Sequence, residues 1–153
     1  MQVRRLGGAY GGKISRSVQI ACVCALVCRK LNLPARLVMS LEDNMRSIGK
    51  RVSAIMEYDL GTDSKGVIQY QNATYYGNKG SSLNESHALD TISFFFNCYE
   101  TSTWKSIGYD VLTDIPANTW CRAPGETLLN NYFICLLKQF LGGGTILKYF
   151  YCY

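Results

Sequence analysis

The chain has 153 residues, of which 48% are hydrophobic and 18% are charged. This composition fits one domain with a hydrophobic core and differs from that of a disordered segment. The longest nearly unbroken apolar stretch, residues 18–28, falls short of the ~20 residues that a transmembrane helix needs, so we expect no membrane partner. Only one leucine separates Arg4 and Arg5 from a pair of glycines, where a secretory signal would have its apolar core. We therefore expect a cytoplasmic location.

Basic residues are concentrated in the first third of the chain. The formal net charge is +5, but residues 1–51 contain ten Lys/Arg and two acids, whereas residues 52–153 contain six Lys/Arg and nine acids. Such asymmetry indicates either an anionic partner or a solvated basic surface. The basic residues do not form a dense block with interleaved aromatic side chains, so we expect no nucleic-acid partner.

The seven cysteines do not have the pattern of a disulfide framework. Their number is odd, and Cys22, Cys24 and Cys28 lie inside an apolar stretch, which predicts that they are buried as small hydrophobic side chains. There is no CxxC pair, and the single histidine, His87, is far from any cysteine cluster in sequence. We therefore predict no metal site.

The first half of the chain begins with a glycine-rich segment, residues 3–13. Apolar residues at helical spacing follow it and predict a helix that is capped by Ser15 or Ser17 and ends near residues 30–32, before Pro34. The next two predicted elements are a short buried strand at Arg36–Ser40 and a short helix at Leu41–Ile48, with Ser40 as its N-cap.

The middle of the chain predicts a β-hairpin. Ser53–Leu60 alternates between apolar and polar residues, Val67–Tyr76 is also strand-like, and residues 62–66 form a polar, glycine-containing turn. We predict a loop at Gly77–Asn84, leave Ala88–Tyr99 undecided between helix and strand, and predict a strand at Ile107–Leu112 and a turn at Asp114–Asn118. The fold class is therefore α+β, with mixed helices and antiparallel hairpin strands.

The glycine-rich segment does not match either common nucleotide motif. Gly7-x4-Gly12-Lys13 is close to a phosphate-binding loop, but Ile14 stands where Ser or Thr would hold magnesium. No three glycines have the spacing of a GxGxxG motif. Two interpretations remain: a loop shaped for packing, or an anion cradle of backbone amides at a helix N-terminus.

The order of several motifs resembles the molybdenum hydroxylases, the family of xanthine dehydrogenase and aldehyde oxidase. The motifs are RRLGGAYGGKISRS, Pro34-Ala35-Arg36, Leu41-Glu42-Asp43-Asn44-Met45, Asn97-Cys98-Tyr99 and Asn118-Thr119-Trp120-Cys121-Arg122, collinear over residues 3–126. Ser82-Leu83-Asn84-Glu85 and Arg122-Ala123-Pro124-Gly125 resemble the aldehyde oxidase branch, particularly insect-type sequences.

The resemblance implies a partial molybdopterin-binding domain that binds a molybdenum–molybdopterin cofactor. It assigns cofactor contacts to the glycine loop through Gly8, Ala9, Tyr10 and Gly11, and to Arg122 through its guanidinium or a neighbouring amide. Full-length relatives also carry 2Fe–2S clusters and often FAD, which this segment does not bind, and they are homodimers.

Three positions bear on the substrate that the resemblance implies. Xanthine-type enzymes have a glutamate, an arginine and a phenylalanine in the purine pocket, where this chain has Ile14, Asp90 and Pro124. None of these three side chains can make the contact that its counterpart makes with a purine. The resemblance therefore favours an aldehyde or an apolar heteroaromatic substrate.

The resemblance covers only part of the family's cofactor domain. We assign residues 1–126 to this partial domain and residues 127–153 to an apolar tail, either a truncated or mis-spliced end or a genuine divergent segment. The family's general-base glutamate lies outside the chain, so we name no catalytic residue and expect the segment alone to be inactive. The alternatives are a non-catalytic cofactor-binding or assembly fragment, a product that never folds stably, and an unrelated α+β domain with a glycine loop.

Overall fold

The computed structural model describes residues 3, 5, 7–48, 50–82, 85–95, 99–126, 130, 132–134 and 149–152. Along them lie α1 (Ser17–Leu31), α2 (Leu41–Ser47), β1 (Ala54–Thr62), β2 (Ile68–Gly80), α3 (His87–Ser93), β3 (Trp104–Leu112) and β4 (Tyr149–Cys152). Residues 126, 130 and 132–134 also have helical backbone. This mixture confirms the predicted α+β class.

The four strands form one sheet in the order β3-β2-β1-β4. The predicted hairpin is confirmed: β1 and β2 are antiparallel, and Ala54 pairs with Gly77 at their far end. Its turn is closed by Asp63, whose carboxylate accepts hydrogen bonds from the amides of Lys65 and Val67, both at 2.9 Å. Gly66 has a φ of +81° there, which a side chain rarely adopts.

The pairing of β2 with β3 was not predicted. β2 and β3 are parallel, from Gln71 opposite Trp104 to Gly80 opposite Leu112, so α3 lies in the connection between them. Because this pairing continues to the end of β2, the predicted loop at Gly77–Asn84 is wrong for residues 77–80. The undecided segment Ala88–Tyr99 is helical as far as Ser93, and residues 96–98 lie outside the described residues.

The hydrophobic core lies on one face of this sheet. The predicted alternation of β1 is confirmed, since its even-numbered residues from Ala54 to Leu60 are buried. Aromatic rings fill the space above them, with Tyr132 contacting Tyr58 at a centroid distance of 5.1 Å and Phe95 at 5.9 Å. Tyr132 is fully buried and Phe133 nearly so, which places two residues of the predicted tail inside the core.

The N-terminal third is much less buried than the sheet. The predicted helices α1 and α2 are confirmed within a residue or two, and Ser40 caps α2 by accepting from the Asp43 amide at 3.0 Å. Neither helix has a buried residue. The prediction of buried cysteines is therefore wrong: Cys22 is exposed, and Cys24 and Cys28 are half-buried, because the described residues cover α1 only in part, as where Cys24 Sγ lies 3.3 Å from the Ala35 carbonyl oxygen.

Two further predictions in this region are wrong. Arg36–Ser40 is not a strand, because among the described residues no neighbouring strand pairs with it, and Val38 is 71% exposed. The start of α1 has Arg16 at the N-cap position with no side-chain cap. Ser15 instead donates its hydroxyl hydrogen bond to Glu85, in a distant segment.

Candidate functional site

The glycine loop and the turn that contains Arg122 meet directly. The Arg122 amide donates to the Tyr10 carbonyl at 2.8 Å, and its guanidinium carbon lies 4.8 Å from the centroid of the Tyr10 ring. A Cβ atom on Gly11 would lie 3.1 Å from the Trp120 carbonyl oxygen. The structure therefore brings together the two segments that the resemblance assigned to one cofactor.

Both segments have backbone in the left-handed region at their meeting point. The φ angles are 49° at Tyr10 and 88° at Gly11, opposite 44° at Arg122 and 48° at Ala123. Left-handed non-glycine residues are unfavourable by roughly 1–3 kcal/mol each and often mark ligand sites. The contacts between the two segments therefore maintain this unfavourable backbone conformation.

The donors of this region suit an anionic ligand rich in hydrogen-bond acceptors. Within the described residues, the amides of residues 8–11 donate no backbone hydrogen bond. Gly8, Ala9 and Tyr10 are exposed, and so is Arg122. Successive backbone amides in a turn and a permanently charged guanidinium are groups that bind phosphates and other oxyanions. The residues present therefore fit the anionic pterin cofactor that the resemblance implies.

Glu85 forms hydrogen bonds with both the end of the glycine loop and the Arg122 turn. Its carboxylate accepts from the Trp120 amide at 2.8 Å, from the Thr119 hydroxyl at 3.2 Å and from the Ser15 hydroxyl at the end of the glycine loop. Burial raises the pKa of Glu85, and these hydrogen bonds lower it. Together the hydrogen bonds outweigh burial, so the pKa lies below its ordinary value. Glu85 is thus ionised at neutral pH.

A buried Lys–His pair lies beside the same turn. Lys79 Nζ is 3.0 Å from His87 Nδ1, and both residues are almost fully buried. The ring of His87 lies against Trp120, at a centroid distance of 5.7 Å. Burial and the Lys79 charge lower the pKa of His87, and the nearby Glu85 and Asp110 oppose this shift only in part. The pair packs against the Trp120 side chain of the Arg122 turn.

Two arginines also hold the turn. Arg51 donates to the Arg122 carbonyl at 2.6 Å, and Arg16 donates to the Ala117 carbonyl at 3.1 Å. Charge-assisted hydrogen bonds of this kind are stronger than neutral ones. They leave the guanidinium of Arg122 on the surface while its backbone is fixed.

The three predicted substrate residues are less tightly grouped. Ile14 is 69% exposed just after the glycine loop, and Pro124 is half-buried in the Arg122 turn. Asp90 is half-buried on α3, next to Thr91, whose backbone would lie 3.1 Å from a Cβ atom on Gly125. The turn thus packs against α3, but no hydrogen bond joins Asp90 to Ile14 or Pro124 in the described part of the chain.

A cavity of about 1110 Å³ lies along α1 rather than at the Arg122 turn. Lys13 and Arg16 line it, but the predicted cofactor and substrate residues do not. Among the described residues, no group of three or more His, Cys, Asp or Glu side chains is arranged to hold a metal ion. None of the helices in that part of the chain has the length and apolar character to cross a bilayer.

Sequence reasoning missed the supporting residues Glu85, Lys79 and His87. Glu85 appeared only as part of a branch-specific motif, and His87 only as a lone histidine remote from cysteines. The role of Glu85 depends on contacts across 34–70 residues of sequence, and that of the Lys79–His87 pair on burial beside Trp120, neither of which a motif search detects. Residues 97 and 98, from the Asn97-Cys98-Tyr99 motif of the resemblance, lie outside the described residues.

Known proteins resemble this chain over most of its length. A family profile described as a molybdopterin cofactor-binding domain matches residues 1–135. A nicotinate hydroxylase of Emericella nidulans and a xanthine dehydrogenase of Calliphora vicina are each 32% identical over 126 residues, 81% of this chain and 9% of theirs. A probable aldehyde oxidase of Caenorhabditis elegans is 32% identical over 150 residues, 95% of this chain and 12% of its own.

The chain therefore spans about a tenth of the length of these relatives. The three relatives are equally identical to it although their names give them different substrates. The profile match covers well over half of the chain and includes the glycine loop and the Arg122 turn. This chain belongs to the molybdopterin cofactor-binding domain family of the xanthine dehydrogenase and aldehyde oxidase type of molybdenum hydroxylase.

Proposed function

We propose that this chain is the part of an aldehyde-hydroxylating molybdenum enzyme that grips the molybdopterin cofactor through the glycine loop and Arg122. The observation that carries the proposal is the 2.8 Å hydrogen bond from the Arg122 amide to the Tyr10 carbonyl. It joins two exposed, donor-rich segments that are more than a hundred residues apart in sequence. The glycine loop supplies backbone amides and the Arg122 turn supplies a guanidinium, so only the two segments together offer both kinds of donor.

Each part of this site has a distinct task in the proposal. The amides of residues 8–11 donate to oxygen atoms of the ligand, and the guanidinium of Arg122 adds a charge-assisted contact. Glu85 links the end of the glycine loop to the Arg122 turn, and Arg51 fixes the backbone of that turn. When bound, the molybdenum–molybdopterin supplies the redox chemistry that converts an aldehyde into a carboxylic acid.

An aldehyde substrate is supported by the side chains around the loop. Ile14 offers an exposed apolar surface, and Pro124 adds another at the Arg122 turn. Asp90 places a carboxylate on the helix behind this turn, and a carboxylate repels anions such as a deprotonated purine or nicotinate. A neutral, largely apolar aldehyde meets no such repulsion.

A second candidate is a cofactor-binding or assembly fragment without turnover. It is favoured by the state of Glu85, the carboxylate hydrogen-bonded to the end of the glycine loop. Three donors already engage this carboxylate and lower its pKa, so it is a poor general base. In this case, the chain would retain cofactor but release no product from an aldehyde.

A measurement of cofactor binding distinguishes both proposals from a purely structural role of the glycine loop and Arg122. The purified chain would be titrated with molybdopterin released from another molybdoenzyme, following quenching of the intrinsic pterin fluorescence. We expect Arg122→Ala to weaken binding by at least tenfold, since a hydrogen bond to a charged group contributes about 1.5–3 kcal/mol. Arg46→Ala removes an exposed arginine paired with Glu42 on α2 and should leave binding unchanged.

Equal binding by both variants, or no binding by the wild-type chain, would contradict the cofactor site. The substrate is tested in the longer protein that contains this segment, by comparing its kcat/KM for an apolar aldehyde with that for xanthine. Ile14→Glu should lower kcat/KM for the aldehyde. A preference of the unaltered protein for xanthine would refute the aldehyde assignment.

A further inference from the structure

The cavity along α1 is a groove with an apolar floor and basic sides. Its lining includes Ile20, Leu37 and Ile48, together with Lys13, Arg16, Arg29 and Arg36. Among the described residues, no Asp or Glu lines it. A groove with four cations and no carboxylate has a strongly positive field, and complementary charge decides which partner such a groove prefers.

The two helices that form the groove are otherwise uncovered. Among the described residues, α1 and α2 have no buried position. Leu26 is 66% exposed and Leu41 is 79% exposed on these two helices, outside the groove itself. Contiguous exposed apolar surface marks interaction sites in soluble proteins. The groove is an existing depression between residues of α1 and residues 35–48, so a partner would fill it.

We propose that this groove binds an acidic amphipathic helix. A helix has a diameter of about 10–12 Å and fits a depression, whereas a membrane surface is flat and cannot enter one. α1 has 15 residues and is therefore about 22 Å long, which matches a partner helix of similar length. Apolar residues at positions i, i+3, i+4 and i+7 of the partner would contact the floor, and flanking Glu or Asp would meet the four cations.

The chain's own end is a poor occupant. Residues 127–153 contain two lysines and no Asp or Glu, so they would be repelled by the groove. The relatives are roughly ten times longer than this chain, so proteins of this family contain much polypeptide outside this segment. The groove is therefore assigned to a partner helix of opposite charge, separate from the cofactor site at the Arg122 turn.

The test uses the full 153-residue chain and a fluorescein-labelled 18-residue helical peptide with a leucine face flanked by glutamates. Fluorescence anisotropy should show saturable binding that weakens at least tenfold between 50 and 500 mM salt, as expected for charge complementarity. The double variant Arg29→Glu/Arg36→Glu should also weaken binding at least tenfold. Lys65→Glu/Lys105→Glu changes the net charge equally at exposed sites outside the groove and should bind as the wild type does.

Circular dichroism melts would establish that both double variants fold. A variant in the floor, Ile20→Asp, should weaken peptide binding without changing the net charge by more than one. Absence of peptide binding, or equal loss in the two double variants, would overturn the proposal. Two other results would overturn it as well: tighter binding to phosphatidylserine vesicles than to the peptide, or a self-association that the groove variant abolishes, because each assigns the groove to a different occupant.

Discussion

Three hydrogen-bond donors from two segments converge on the carboxylate of Glu85. Removing the carboxylate strands the Trp120 amide and the Thr119 hydroxyl, and unpaired buried donors are costly. We expect Glu85→Ala to lower the free energy of unfolding by about 1.5–3 kcal/mol, as measured by urea denaturation. Glu85→Gln keeps one acceptor oxygen and should lower it by less. Equal effects of the two changes would show that charge, rather than hydrogen bonding, is decisive.

The buried His87 gives the chain a specific response to acid. Because its pKa is below the ordinary 6.5, the unfolded state binds a proton at a higher pH than the native state does. The contribution of His87 to stability is therefore complete above pH 6.5 and declines as the pH falls below it. We expect His87→Gln, which keeps an acceptor for Lys79, to flatten the decline of unfolding free energy between pH 6.5 and 5.

Urea titrations at half-unit pH steps would measure this effect. Glu85 also loses its contribution on acidification, but its pKa is below 4.5, so its decline occurs at lower pH. The two groups are therefore distinguishable. An unchanged slope between pH 6.5 and 5 in His87→Gln would assign the acid response to another group.

At the scale of elements, the end of β2 depends on one glycine. Gly80 has a φ of +71°, and a Cβ atom there would lie 2.4 Å from the Pro116 carbonyl oxygen and 2.8 Å from Ala117 Cα. Since both obstacles are backbone atoms, no side-chain rotation relieves them. We expect Gly80→Ala to lower the free energy of unfolding by more than about 2 kcal/mol, through backbone strain and displacement of the 113–118 segment.

Gly66 is the matched control for this prediction. It has a φ of +81°, but a Cβ atom there would meet nothing within 4 Å. Gly66→Ala should therefore lower stability by only about 1 kcal/mol, the ordinary effect of a left-handed alanine. If thermal melts showed equal losses for the two variants, the close approach of Pro116 to Gly80 would have no energetic importance.

The same elements show what sequence alone could predict. The β1–β2 hairpin was predictable because both strands and the turn are contiguous, and the alternation of Met56, Tyr58 and Leu60 has the period of a strand. The parallel pairing of Gln71 with Trp104 was not, because it joins residues 33 positions apart across a helix. Arg36–Ser40 has strand-like composition, but composition does not provide a neighbouring strand.

The residues of the candidate site also fall into those that the sequence could predict and those that it could not. The glycine loop and Arg122 were identified by resemblance, and their direct contact agrees with that assignment without testing their role toward a cofactor. Glu85 was beyond reach because hydrogen bonds between distant segments have no signature in local periodicity. The Lys79–His87 pair was missed because the burial of two polar side chains beside Trp120 depends on the tertiary fold. The burial of cysteines in α1 was predicted wrongly, since an apolar helix is buried only where another segment covers it.

At the scale of the whole molecule, residues after 126 contribute to the core. Tyr132 is fully buried, and its hydroxyl accepts from the buried side-chain amide of Gln71. Replacing it with alanine leaves a cavity and an unpaired amide, so we expect Tyr132→Ala to lower the unfolding free energy by about 3–5 kcal/mol. Ile134→Ala, at a position 48% exposed, should change it by less than about 0.5 kcal/mol.

Chemical denaturation of the two variants would therefore decide whether our proposed boundary at residue 126 is correct. A large loss in Tyr132→Ala alone would assign at least residues 132–133 to the domain and move the boundary. Equal, small losses would support a separate tail that only rests on the core. The profile match to residue 135 and the nematode relative's match over 150 residues make this comparison informative.

The antiparallel pairing of β4 with β1 has a consequence for synthesis of the chain. β4 covers only residues 54–57 of β1, and it leaves the ribosome about 90 residues after β1 does. At 5–20 residues per second, that delay is roughly 5–18 seconds. Throughout this interval, residues 54–57 of β1 are open to strands of neighbouring nascent chains, so we expect mispairing between polysome-bound copies at this edge.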